Sequence, residues 1–142
     1  MKKIFWSLAI LVLFANELFA VGSTVVTETR LPGNAYKYTI VWTSDGSGNV
    51  NVQTFATFGR GRLYQVELTP GTSTLQPTNL YDVTLKTPAG TDILATLGTD
   101  LSNVNGKLVY TNFYYDGLAP LDITVAAAGA AKSGTFTLWI AE

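Results

Sequence analysis

From Thr24 onward apolar and polar residues take turns along the chain, and no stretch after residue 20 repeats its apolar residues at helical spacing. Successive side chains of a strand point to opposite faces, so this alternation prescribes strands with one face buried. Between Tyr36 and Thr43, the residues Tyr36, Tyr38, Ile40 and Trp42 alternate with Lys37, Thr39, Val41 and Thr43. Val50, Val52, Thr54, Ala56 and Phe58 carry the same period through the next stretch. Asp45-Gly46-Ser47-Gly48 lies between the two and has the composition of a tight turn, which predicts that they form a hairpin. Thr, Val and Tyr dominate these segments and glycine recurs every few residues, both of which disfavour helix.

The pattern continues to the C-terminus. Gly59-Arg60-Gly61 interrupts it, Arg62 to Thr69 resumes it, and Pro70-Gly71 ends that strand in a turn. Thr72 to Asn79 reads as a surface loop. Tyr81 to Lys86 is a strand, Pro88-Ala89-Gly90 turns the chain, and Asp92 to Leu97 returns as its partner in a second expected hairpin. After a polar loop up to Gly106, Leu108 to Tyr115 predicts a short strand running into an irregular aromatic loop. Leu121 to Val125 and Thr135 to Ala141 are the last two strands, with Gly129 to Ser133 as the turn between them. With an entry strand at Thr24 to Thr29, the chain has about eight or nine strands. That makes it all-β, an antiparallel β-sandwich of jelly-roll-like form, with one domain over residues 21–142. An open sandwich has edge strands, which are covered, charged or used for pairing with a neighbour.

The first twenty residues differ. Met1-Lys2-Lys3 is a short basic start, and Ile4 to Phe14 is apolar apart from Ser7, an 11-residue run. A helix spanning a bilayer needs roughly 20 apolar residues. Leu18-Phe19-Ala20 then places a small residue before Val21, so residues 1–20 read as a signal-like helix cleaved after Ala20, with Ala15 as the second choice. On this reading the protein is exported to the periplasm, cell surface or medium, and meets a membrane only through its leader before cleavage. With the leader removed, 7 basic and 9 acidic residues remain.

Composition excludes several chemistries. The chain has 13% charged residues, no Cys and no His. Sparse charge argues against a nucleic-acid binder that relies on phosphate neutralisation. Without Cys there is no disulfide framework, thiolate nucleophile or zinc-finger spacing, and without His the usual general base is missing. A glycosidase needs two facing carboxylates. Glu28, Glu67, Asp82, Asp92, Asp100, Asp116 and Asp122 are available, but they fall in turns or on polar strand faces and no motif singles out a pair. Asp45 to Asn49 lacks the ligand alternation of a calcium loop. The expectation is a protein that is not an enzyme, with no catalytic, metal or cofactor residues.

The candidate interaction surface is aromatic. Trp42 belongs to the apolar face of its strand and so to the core, whereas Trp139 lies on the face opposite Phe136, Leu138 and Ile140. The last strand is therefore apolar on both faces, as expected of a strand covered twice or one in a subunit contact. Tyr110, Phe113, Tyr114 and Tyr115 crowd into one segment, where they either close an end of the sandwich or stack on sugars and protein partners. Arg60 and Arg62, interleaved with Gly59 and Gly61, form either a solvated connection or a small anion grip.

Five stretches carry a resemblance. They are Thr27-Glu28 before Leu31-Pro32-Gly33; Tyr38 to Thr43; Pro77-Thr78-Asn79-Leu80-Tyr81-Asp82-Val83-Thr84-Leu85; Gly90-Thr91-Asp92-Ile93-Leu94; and Ser133 to Ile140. Together they resemble a family of small β-sandwich proteins of tailed bacteriophages and prophages, over nearly the whole chain after the leader. The resemblance implies a virion-associated structural role, such as capsid decoration or a head or tail accessory subunit, with self-association or capsid and tail proteins as partners. Head assembly is cytoplasmic, so the leader sets two alternatives: export and action at a surface, or retention of the apolar N-terminus in the virion. The rival expectation is an exported carbohydrate-binding or adhesive module that uses the tyrosine-rich segment on glycans.

Overall fold

The computed structural model describes residues 22–55, 61–115 and 120–142. The leader, Arg60, Asp116 and the expected strand residues Ala56 and Phe58 lie outside them. The described chain is all-β. Its strands are β1 (Ser23–Leu31), β2 (Ala35–Thr43), β3 (Val50–Phe55), β4 (Gly61–Pro70), β5 (Asp82–Lys86), β6 (Lys107–Tyr115), β7 (Leu121–Ala126) and β8 (Ser133–Ala141). Two antiparallel sheets result, one ordered β1-β2-β8-β4-β6 and the other β3-β7-β5.

From β2 onward, each strand lies in the opposite sheet from the strand before it. The expected hairpin of β2 with β3 is therefore not formed: β2 pairs with β1 and β8, and β3 pairs with β7. Alternation fixes which face of a strand is buried, but it does not fix the strand's partner. The Asp45 turn forms locally, with Asp45 Oδ1 accepting the amides of Ser47 and Asn49 at 2.8 Å each, and it carries the chain between sheets as a corner. This corner is bonded to the corner between β7 and β8. Ser44 Oγ donates to the Gly129 carbonyl at 2.6 Å, and the Ala128 amide donates to the Gly48 carbonyl at 2.8 Å.

The second expected hairpin forms only at its base. Lys86 and Asp92 bridge, after which the chain enters a 3-10 turn at Ala95–Gly98 and returns to β5 at Tyr81 and Leu101. Asp92 to Leu97 is thus not a strand. The Asp92 carboxylate explains the departure, because its Oδ1 takes the amides of Leu85 and Leu94, both at 3.1 Å, and bends the segment over Leu94, which is fully buried. Asp92→Ala strands both amides and is expected to lower the unfolding free energy by about 1–3 kcal/mol. Asp92→Asn keeps an acceptor oxygen and should recover most of the loss, as read from urea midpoints.

The core fills the space between the sheets. The larger sheet contributes Tyr38, Ile40 and Trp42 from β2, Phe136, Leu138 and Ile140 from β8, and Leu63, Val66 and Leu68 from β4. Val50, Val83, Leu85, Leu121, Ile123 and Val125 face them from the smaller sheet. The spacing of Leu63 and Val66 breaks period two, and both ladders of β4 shift register there. The Thr111 hydroxyl donates to the Leu63 carbonyl at this bulge.

Tyr81 is buried at one end, its ring 5.8 Å from that of Trp42. Burial pushes its phenol from 10.0 up to about 12. The folded protein therefore holds this proton more tightly than the unfolded chain, so the Tyr81 contribution is complete below pH 10 and is lost as pH rises toward 12. Urea unfolding across that window should show a fall in stability that Tyr81→Phe makes shallower.

Candidate interaction surfaces

Residues opposite one another in the antiparallel ladders share a face, so the register defines the outer surface of the five-stranded sheet. One row across it reads Thr27, Thr39, Thr137, Glu67 and Leu108. The rows on either side read Val25, Val41, Thr135 and Thr69, and Thr29, Lys37, Trp139, Gln65 and Tyr110. No second layer among the described residues covers this face. Trp139 sits half-exposed near its middle, with the Lys37 ammonium 5.7 Å from its ring centroid, an arrangement in which the cation faces the electron-rich ring. β8 is the central strand of this sheet, and on its outer face Thr137 is buried while Trp139 is half-exposed.

The expected short strand is present, but it extends through the whole aromatic segment as the nine-residue β6 in place of an irregular loop. Its alternation divides the four expected site residues between two environments. Tyr110 and Tyr114 point outward, 72% and 65% exposed. Phe113 is half-buried against the core, and Tyr115 is buried within it. The sequence places the four together, but the strand gives only two of them to the surface, about 13 Å apart at strand rise. Between those two, Arg62 Nη1 donates to Asn112 Oδ1 at 2.8 Å. Arg62 and Tyr114 line a hollow with Glu142, whose negative charge opposes an anion there. Arg60 lies outside the described residues, and Arg62 is engaged by the Asn112 amide.

On the other side of β6, an open groove of about 330 Å³ is lined by Tyr110, Phe113, Asn112, Asp92, Ile93 and Leu97. Two of the other acidic residues are engaged by the fold. Asp82 Oδ1 accepts the Asp100 amide at 2.9 Å, and Asp122 Oδ1 accepts the Thr54 hydroxyl at 2.8 Å. Among the described residues there is no group of three or more Asp, Glu, His or Cys placed to hold a metal ion.

Sequence reading missed the other side of the sheet. Val25 and Val26 are 65% and 42% exposed on β1, and Val41 beside Val25 is exposed as well. The signal was present in the adjacent valines, which put an apolar side chain on each face of the entry strand. Compared with protein-family models, curated proteins and solved structures, the chain matches none.

Proposed function

We propose that the protein is a non-enzymatic structural subunit that works by self-association, as a phage-derived virion accessory or decoration-type subunit or as an exported surface subunit. The observation that carries this reading is the outer face of the five-stranded sheet, which no second layer covers among the described residues and where Val25, Val41, Leu108, Tyr110 and Tyr114 stand exposed. They form two patches, Val25 with Val41 on β1 and β2 and Leu108, Tyr110 and Tyr114 along β6, and exposed apolar patches of this kind mark contact surfaces. The strand order supports the same reading. β2-β8-β4-β6 faces β3-β7-β5, and the segment from Asp92 to Leu101 runs beside β5 where an eighth jelly-roll strand would lie. Double-sheet jelly rolls serve in viral capsids and in lectins, so the topology narrows the choice without making it.

The phage-family resemblance favours the virion, and the basic-apolar leader favours export. Mass spectrometry of particles from a producing strain tests both: the protein present with its N-terminus at Met1 identifies a virion subunit. The protein recovered outside the cell and starting at Val21 identifies an exported one. A protein found only inside the cell, soluble and monomeric, overturns the proposal.

One observation favours a second reading as a carbohydrate-binding module. The groove beside β6 is lined by Tyr110, Phe113, Asp92 and Asn112, a mixture of aromatic and polar residues that suits sugars. Glycan-array binding lost in Tyr110→Ala would favour it over the structural role.

A further inference from the structure

The two sheets have four edges, and three of them are blunted. The outer edge of β5 is occupied by the following segment: the Ile93 amide donates to the Leu85 carbonyl at 2.7 Å, and the Leu101 amide donates to the Tyr81 carbonyl at 2.9 Å. β3 has six residues and its register shifts between Val50 and Gln53. β6 is bulged where its register shifts opposite Leu63 and Gln65. Bulges and covering segments are the usual means of preventing edge-to-edge pairing. β1 has neither. It runs for nine residues in unbroken register with β2 and contains no proline, and among the described residues no strand pairs with its other side.

We propose that this edge pairs antiparallel with β1 of a second copy, joining the two large sheets into one. The inference rests on the self-association reading and locates its surface. The side chains choose the register. A dyad at Glu28 would oppose two carboxylates, and one at Thr27 would set them diagonally. A dyad at Thr29 would pair Glu28 with Arg30 but would run into Pro32 in the turn after Leu31. A dyad at Val26 lets the ladder run from Ser23 to Thr29. It sets Val26 against Val26, Val25 against Thr27, and Glu28 against Thr24 of the second copy. The exposed valines then lie at the centre, the carboxylates stand well apart, and Arg30 stays beyond the ladder, where its guanidinium lies 5.9 Å from the Tyr36 ring centroid. Because opposite residues share a face, Val25 and Val41 meet Thr27 and Thr39 of the second copy across the junction, and the outer faces of the two large sheets become one surface.

The chain contains no cysteine, so any disulfide forms at an introduced position. In protein purified from cells expressing the full chain, Val26→Cys should give a disulfide-linked dimer on mild oxidation. Thr29→Cys should not, since its copies lie roughly 20 Å apart along the ladder. Val26→Lys brings two ammonium groups together at the dyad and should weaken association by about 100-fold, with the unfolding midpoint little changed. If wild type associates while Val26→Cys fails to cross-link and Val26→Lys keeps its mass, β1 pairing is overturned and the self-association reading stands. If wild type is monomeric throughout, both fall.

Discussion

Trp42→Ala is expected to lower the unfolding free energy by about 3–5 kcal/mol, the range found for buried aromatic truncations. The indole is among the largest fully buried side chains, and it occupies the end of β2 where the two sheets are joined by Tyr81. The surrounding strands are held by ladder hydrogen bonds, so they can relax only partly into the space left behind. The change has a second readout at the neighbouring ring. Tyr81 titrates at about 12 because it is buried, and opening the indole site to water should bring its phenol down toward 10. Absorbance titration of the phenols should detect this even if part of the stability loss is hidden in a partly structured unfolded state. A loss below about 1 kcal/mol with no change in the Tyr81 titration would mean that the indole does not close this end of the core.

Gly134→Ala tests the same site from the facing strand. Gly134 is paired with Trp42 across β2 and β8, and the indole lies directly over it. A Cβ at this position would come 2.4 Å from Trp42 Cζ2 and 2.8 Å from the Thr69 carbonyl oxygen. The carbonyl belongs to the β4 backbone and cannot swing away, so the methyl forces either the ring or the ladder to move. Overpacking of this kind costs about 1–3 kcal/mol. The clash is mainly with the indole, so shrinking Trp42 to Leu should remove much of the penalty. A double-mutant cycle of Trp42→Leu and Gly134→Ala should show a coupling of about 1–2 kcal/mol, readable from urea midpoints at constant slope. Additive effects would place the two residues out of contact.

The residues that set the strands were legible because burial on one face writes itself into the sequence every second position. Tyr38, Ile40 and Trp42 on β2, and Phe136, Leu138 and Ile140 on β8, follow that rule, and all six are in the core. Partnership between strands was not legible. Asp45-Gly46-Ser47-Gly48 forms a tight turn in either case, and the choice between a hairpin and a corner is made by distant groups such as Lys132, whose carbonyl receives the Ser44 amide at 2.8 Å. Asp92 has the appearance of an ordinary strand residue, yet its side chain replaces a ladder bond and ends the strand.

The candidate interaction surface was legible in part. The aromatic crowding of residues 110–115 is visible, but a short strand running into an irregular loop leaves most of the alternation unused, and alternation is what sends Phe113 and Tyr115 inward while Tyr110 and Tyr114 face out. The β1 edge was hidden for a different reason. An edge is defined by what lies beside a strand, and only the strand order shows that, among the described residues, β1 has a single neighbouring strand.

Light scattering coupled to gel filtration, run over a wide concentration range on the purified protein, tests the central claim most directly. The account predicts a discrete species of at least two chains, which Val26→Lys shifts toward a single chain. A mass of one chain at every concentration would contradict it.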